Sequence, residues 1–152
     1  MIETARLLLR PMVSEDTDAL LRIFAAPGVL AAFDTEPFDR RQMEGWVQKN
    51  LVHQERHGYG LRSVLHKATG ELIGNCGLTQ MAIGNATVVE LGYDFRRDYW
   101  NQGLATEAAM TMRDYAFQVL QLPRLVSLIR RGNQASQRVA EKVGMAQVEA
   151  IT

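Results

Sequence analysis

Cysteine is almost missing from this sequence, since Cys76 is the only one among 152 residues. A single cysteine allows neither an intrachain disulfide nor a paired-thiolate metal site. Cys76 lies in the apolar run LIGNCGL, where a small buried residue is more common than a nucleophile. His53 and His57 are four residues apart, but the H-E-x-x-H pattern and a third ligand are missing, so we expect no metal site.

Net charge and long apolar runs are missing as well. The 17 basic residues balance the 17 acidic ones, which removes the broad positive field that non-specific nucleic-acid binding needs. No segment reaches the ~20 apolar residues of a membrane span, and the opening MIETARLLLRP is too short for a signal-peptide core. We therefore expect a cytoplasmic protein that binds neither nucleic acid nor membrane.

The chain length and the lack of Pro-, Gly- or Ser-rich linkers favour one domain over residues 1–152. Apolar spacing, capping residues and turn residues predict an α/β arrangement with a right-handed strand–helix–strand crossover in its middle. Ser14 and Asp39 are the expected N-caps of the first two helices. The order is β-α-α-β-β-β-α-β-α-β, with elements at 5–10, 14–26, 39–57, 62–66, 71–79, 87–95, 105–120, 125–129, 133–143 and 146–151.

The strand at 87–95 carries acids on one of its sides. Its alternation places Val88, Glu90, Gly92 and Asp94 opposite a mainly apolar side, whose members are Val89, Leu91, Tyr93 and Phe95. An acidic side chain on an otherwise buried strand is a candidate for proton transfer.

The loop between this strand and the next helix contains Gly103 among small or neutral residues. The first amides of a helix lack internal partners, so backbone alone can bind a diphosphate there. A plain helix entry would explain the same residues, so the spacing leaves both readings open. The sequence has neither G-x-x-x-x-G-K-[ST] nor G-x-G-x-x-G, and we do not expect ATP or NAD as ligands.

Five motifs in order resemble the GCN5-related N-acetyltransferase (GNAT) superfamily, and within it the RimJ/RimL branch of ribosomal-protein N-terminal acetyltransferases. They are TARLLLRPM (4–12), TGELIGNCGL (69–78), ELGYDF (90–95), YWNQGLATEA (99–108) and NQASQRVAEKVGM (133–145). The resemblance implies a mixed, mostly antiparallel central sheet flanked by helices. It also implies an acyltransferase whose co-substrate is acetyl-coenzyme A.

The resemblance further implies where the cofactor binds. The backbone of Tyr93, Asp94 and Phe95 would follow the pantetheine arm. The diphosphate loop would be Asn101, Gln102, Gly103, Leu104, Ala105 and Thr106. Asn133 would cap a helix and bond the pantetheine amides, and Arg138 would meet the phosphates. Asn101 stands where this branch commonly has glycine, and we expect it to adopt a left-handed conformation.

Two residues are candidates for the chemistry. Glu90 could take a proton from the amine directly or through water, although pairing with an arginine or exposure to solvent would explain it equally well. Glu107 is a weaker candidate, because the helix dipole already accounts for an acid in a first turn. Many superfamily members have a tyrosine acid where this chain has Ala140. Attention therefore shifts to Ser136, which would donate to the thioester sulfur or order water.

The resemblance implies acetyl transfer to a primary amine, either a protein N-terminal α-amine or a small-molecule amine, by direct attack in a ternary complex. The alternative is an acetyl-CoA-binding or regulatory module without catalysis, and the sequence does not identify the acceptor. Relatives usually continue with a closing hairpin that this chain lacks. An unpaired last strand would favour either a homodimer through that edge or a truncated sequence.

Overall fold

The computed structural model of the protein describes residues 1–26 and 38–148. Its sheet has five strands in chain order, and every neighbouring pair is antiparallel. The strands predicted at 5–10, 62–66, 71–79 and 87–95 are confirmed with shifted ends, and a two-residue strand at the start was too short for a pattern to indicate. The strands are β1 (Ile2–Glu3), β2 (Leu7–Pro11), β3 (Leu61–His66), β4 (Leu72–Ile83) and β5 (Ala86–Phe95).

Within residues 1–26 and 38–148, four α-helices flank the sheet: α1 (Thr17–Ala25), α2 (Arg40–His57), α3 (Leu104–Asp114) and α4 (Gln134–Val143). Asp39 caps α2 as predicted, accepting from the Gln42 amide at 2.8 Å while the Gln42 side chain accepts from the Asp39 amide at 2.9 Å. The predicted cap at Ser14 is wrong. Ser14 opens a 3-10 turn that ends at Asp16, and its side chain does not cap that turn or α1.

The helix predicted over 105–120 has two parts. After α3 ends at Asp114, a π-helical turn spans Tyr115–Val119. Tyr115 packs beside the core. The apolar spacing continues through the turn, which explains why the sequence pattern shows one uninterrupted helix.

Two of the predicted strands are wrong or only partly described. The segment 125–129 is not a strand; Val126 makes a single parallel bridge to Glu90. The bridge is parallel, which is the direction expected for a segment that follows a strand and a helix in a crossover. Residues 145–148 have no regular structure, and the rest of the strand expected at 146–151 lies outside the described residues.

Helices cover both faces of the sheet. On the face towards α3 and α4, the main core includes Cys76, which is fully buried as predicted. Burial and the nearby Asp94 carboxylate raise the pKa of the Cys76 thiol far above its usual range, so it is a poor nucleophile. A smaller cluster packs α1 and α2 against the other face, here called the α1/α2 face; its members are Met12, Leu20, Ile23, Phe24, Met43 and Val47.

Candidate active site

Strand β5 loses its outer neighbour halfway along its length. The Leu91 amide donates to the Val126 carbonyl at 2.8 Å, and the Val126 amide donates to the Val89 carbonyl at 3.0 Å. The same edge continues through Tyr93 and Phe95, because backbone groups alternate along a strand. In the described part of the chain no strand pairs with that stretch. It leaves backbone donors and acceptors for an extended ligand.

The free edge leads directly into the loop before α3. Asn101 has φ 63° and Gly103 has φ 79°, so the left-handed conformation predicted for Asn101 is confirmed. Gly103 is the N-cap of α3 and has no side chain with which to cap it. The amides that open the helix therefore remain available at the positive end of its dipole. Leu104 is 2% exposed, so any contact it makes there is through its backbone.

The N-terminal segment holds this loop in place through Glu107. One oxygen of the carboxylate accepts from the Thr4 hydroxyl at 2.6 Å and the Arg6 amide at 2.9 Å. The other accepts from Arg6 Nε at 2.8 Å, and Arg6 also donates to the Gln102 carbonyl at 2.9 Å. Burial works to raise the pKa of Glu107, but the hydrogen bonds from Thr4 and Arg6 outweigh it and hold the pKa below its usual value.

Sequence reasoning explained Glu107 by the helix dipole and missed Thr4 and Arg6 altogether. Their contacts join positions about one hundred residues apart in the chain. A single sequence has no local signal for such a pair. Trp100 also attaches the loop before α3 to β5, because its indole N–H donates to the Phe95 carbonyl at 2.8 Å.

Glu90 lies where the segment after Val126 leaves β5. It sits opposite Thr79 on the α1/α2 face of the sheet, and one carboxylate oxygen accepts from the Leu128 amide at 2.9 Å. Burial raises the pKa of Glu90, and the hydrogen bond from Leu128 partly opposes that rise. In the described ranges it pairs with no arginine. A partly buried carboxylate with a raised pKa suits proton transfer.

The first turn of α4 is attached to β5 by Tyr93. The Tyr93 hydroxyl donates to the Ser136 carbonyl at 2.8 Å, and Asn133 caps the helix by accepting from the Ser136 amide at 3.1 Å. Among the described residues the Ser136 hydroxyl has no hydrogen-bond partner, which leaves it free for a ligand. Arg138 is exposed on α4 and makes no ion pair with another described residue.

A second carboxylate lies on the same strand and face as Glu90. Asp94 is partly exposed and stands directly across from Asn75 of β4. Burial raises the pKa of Asp94 to about 7, Asn75 opposes part of that rise, and the Glu90 charge adds to it. Asn75 is 0% exposed, yet its amide nitrogen and oxygen make no hydrogen bond of normal geometry.

His53 and His57, the two histidines four residues apart, contact other parts of the protein. His53 Nε2 accepts from the Gln80 amide at 2.9 Å, and its ring lies 4.5 Å from that of His57 between centroids. Within the described residues no group of three or more His, Cys, Asp or Glu side chains could hold a metal ion.

The helices described here include none long and apolar enough to span a bilayer.

Residues 6–146 match the family model of the acetyltransferase (GNAT) domain. The chain belongs to the GNAT acetyltransferase family. It is 40% identical over 143 residues to uncharacterized protein YkkB of Bacillus subtilis (strain 168), covering 93% of this chain and 83% of that protein. It is 34% identical over 135 residues to uncharacterized N-acetyltransferase p20 of Bacillus licheniformis, covering 88% of this chain and 75% of that protein.

A solved acetyltransferase structure agrees with this assignment. The crystal structure of the acetyltransferase from Agrobacterium tumefaciens str. C58 is 32% identical and superposes with a TM-score of 0.82, covering 94% of this chain and 81% of that one. The GNAT fold expected from the motifs is therefore confirmed, and the chain is an acyltransferase of the acetyl-transferring kind.

Proposed function

We propose that this GNAT protein transfers an acetyl group from acetyl-CoA to a primary amine, by direct attack in a ternary complex. The observation that carries the proposal is the continuity of the free edge of β5 with the open N-terminus of α3. Acetyl-CoA has an extended pantetheine arm, which contains amides, next to a diphosphate. A site for it therefore needs a free strand edge beside an open helix N-terminus. Glu90 lies beside the same edge.

The residues present fit coenzyme A. Backbone groups of Tyr93 and Phe95 would bond the pantetheine arm, with Asp94 between them in the same stretch. The amides of residues 101–106 would meet the diphosphate, where the helix dipole favours negative charge. Arg6 adds a cation beside the loop, with one guanidinium nitrogen 3.5 Å from the place where a Gly103 Cβ would stand.

The helix α4 would complete the cofactor site. Asn133 uses its side-chain oxygen as a cap, so its amide nitrogen would be the group that bonds the pantetheine. The exposed Arg138 guanidinium would pair with a phosphate. An exposed pair of this kind contributes little affinity, so most of the binding energy would come from the backbone.

The chemistry would be a single displacement. The bound thioester supplies the acetyl group; the amine nitrogen forms a bond to its carbonyl carbon while the carbon–sulfur bond breaks. Glu90 would accept the proton that the amine loses, and its raised pKa strengthens it as a base. Ser136, with no protein partner for its hydroxyl among the described residues, would donate a hydrogen bond to the leaving sulfur, which departs as a thiolate and takes its proton from solvent.

The finer assignment to the RimJ/RimL branch rests on the motifs in the sequence. It allows two classes of acceptor, a protein N-terminal α-amine or a small-molecule amine. The single domain over 1–152, the cytoplasmic location and the homodimer remain predictions, as does the independence from nucleic acid and membrane.

Two measurements test the proposal. Isothermal titration with acetyl-CoA should give saturable heat at one site, and a thiol-release assay with a panel of amines should give turnover that depends on the amine. Absence of heat would contradict the cofactor assignment. Heat without thiol release from any amine or N-terminal peptide would favour the non-catalytic acetyl-CoA-binding module instead.

A further inference from the structure

Two carboxylates, Glu90 and Asp94, flank a gap in the side chains of β5. Both lie on the α1/α2 face, and the residue between them on that face is Gly92. Gly92 is paired with Gly77 of β4, so the row between the two acids carries no side chain from either strand. The Cα atoms of Glu90 and Asp94 are four residues apart, a span of roughly 13 Å in an extended strand.

The glycine at position 92 is not required by the protein's own packing. A Cβ built on Gly92 would meet only Leu61 Cδ2, at 3.8 Å, which is ordinary van der Waals contact. By contrast, a Cβ on Gly77 would lie 2.2 Å from the Gly60 carbonyl oxygen. Among the described residues, the space above Gly92 is therefore open, with an acid at each end.

The far end of this gap is an incomplete polar site. Asn75 is fully buried, and neither polar atom of its amide makes a hydrogen bond of normal geometry, although the amide is near enough to Asp94 to lower the pKa of that carboxyl. Leaving a buried polar group unpaired costs roughly 1–3 kcal/mol, and such groups are rare in native proteins, where a strained or functional site or a bound water or ion accounts for them. Its cross-strand neighbour Asp94 is accessible to solvent and makes no ion pair within the described residues.

The arginine that lies in the same row of the sheet as Asp94, Arg10, already has a carboxylate partner. Arg10 and Ser63 continue the row of Asn75 and Asp94 onto β2 and β3. Arg10 bonds both oxygens of Asp16, at 2.8 and 2.7 Å, and the Ser63 hydroxyl donates to Asp16 at 2.6 Å. Neither residue therefore supplies a positive charge or a hydrogen bond to Asp94.

We propose that Asp94, supported by Asn75, binds a second ammonium group of the acceptor, and that the acceptors of this enzyme are aliphatic diamines. This inference rests on the proposed function, in which the reacting amine lies at Glu90. In a four-carbon diamine the nitrogens are roughly 6 Å apart, from five bonds of about 1.5 Å. Adding a charge-assisted hydrogen bond of about 2.8 Å at each end gives roughly the span between the two acids.

The test compares butane-1,4-diamine with butylamine, which lacks the second nitrogen. In the unaltered protein, kcat/KM should be at least about tenfold higher for the diamine, since one charge-assisted bond is at stake. Asp94→Asn should remove that preference by raising KM for the diamine while kcat stays the same. The ratio of the two kcat/KM values, diamine to butylamine, should therefore fall to about one in this variant.

Matched variants separate acceptor binding from general effects. Asp114→Asn is the control for lost charge, because Asp114 is exposed and pairs with Arg113 at 2.9 Å at the end of α3. Gly92→Ala should raise KM for the diamine without changing acetyl-CoA affinity, since its methyl group would fill the gap. Gly45→Ala, on an exposed site of α2 with no atom within 4 Å, should leave every constant unchanged.

The possible results distinguish a failure of the diamine assignment from a failure of the proposed acetyl transfer. Equal kcat/KM values for the two amines, or an Asp94→Asn variant that loses both activities equally, would overturn the diamine assignment. So would turnover of other amines in the panel with no turnover of the diamine, and in that case acetyl transfer itself would stand. Acetyl-CoA binding with no turnover of any amine would instead refute the proposed function.

Discussion

Replacing Gly103 with alanine is the most direct probe of the loop before α3. Gly103 has φ 79°, and a left-handed conformation costs an L-residue roughly 1–2 kcal/mol. The new methyl group would lie 3.5 Å from the Arg6 guanidinium, an ordinary contact, so the loss of stability should come from the backbone alone. The same methyl group would stand on the surface that a diphosphate must approach.

The control is Gly58→Ala, at the end of α2. Gly58 has φ 78° and no atom within 4 Å of its Cβ position, so the backbone strain is matched and the loop is untouched. Both variants should lower the unfolding free energy in urea by a similar amount.

Only Gly103→Ala should weaken acetyl-CoA binding in a calorimetric titration. We expect a ten- to hundredfold increase in Kd, the equivalent of losing about one charged hydrogen bond. Equal Kd values in the two variants would refute the assignment of this loop to the diphosphate.

Three further predictions follow from the acidic residues. Glu90→Gln should lower kcat at least about a hundredfold in the thiol-release assay and leave the Kd of acetyl-CoA unchanged; full activity would exclude Glu90 as the base. Folded Asp94 keeps its proton up to about pH 7, whereas the ordinary value is 3.8, so the folded state binds more protons between these values and stability should fall as pH rises through them. Asp94→Asn should therefore stabilise the protein more at pH 8 than at pH 5, by at most roughly 3 kcal/mol, and a pH-independent difference in urea unfolding would contradict this. Glu107→Gln should lower the unfolding free energy by roughly 1–3 kcal/mol and weaken acetyl-CoA binding, because the loop loses its attachment; unchanged values for both would show that the attachment is dispensable.

The sequence predicted the elements whose ends are marked by capping residues and by glycines that stop a helix. Asp39 caps α2, Asn133 caps α4, and Gly58 and Gly144 end those helices in left-handed conformations, all through contacts within a few residues. The 125–129 segment was predicted wrongly because its apolar residues suit a strand. Whether they pair depends on a distant edge, and only Val126 reaches β5.

The candidate site was predicted in part. The left-handed Asn101 followed from its residue type and from the loop motif. The Leu128 partner of Glu90 and the Tyr93 contact to Ser136 did not, since they join residues 38 and 43 positions apart.

The sequence alone determined the family, the order of most elements and the loop that opens α3, because those depend on local backbone preference and on motifs. Only the tertiary structure decided what surrounds the acids of β5. Strand register placed Asp94 against the unpaired amide of Asn75 and left the gap at Gly92. Such an arrangement depends on how distant strands align, and no residue's local preference encodes it.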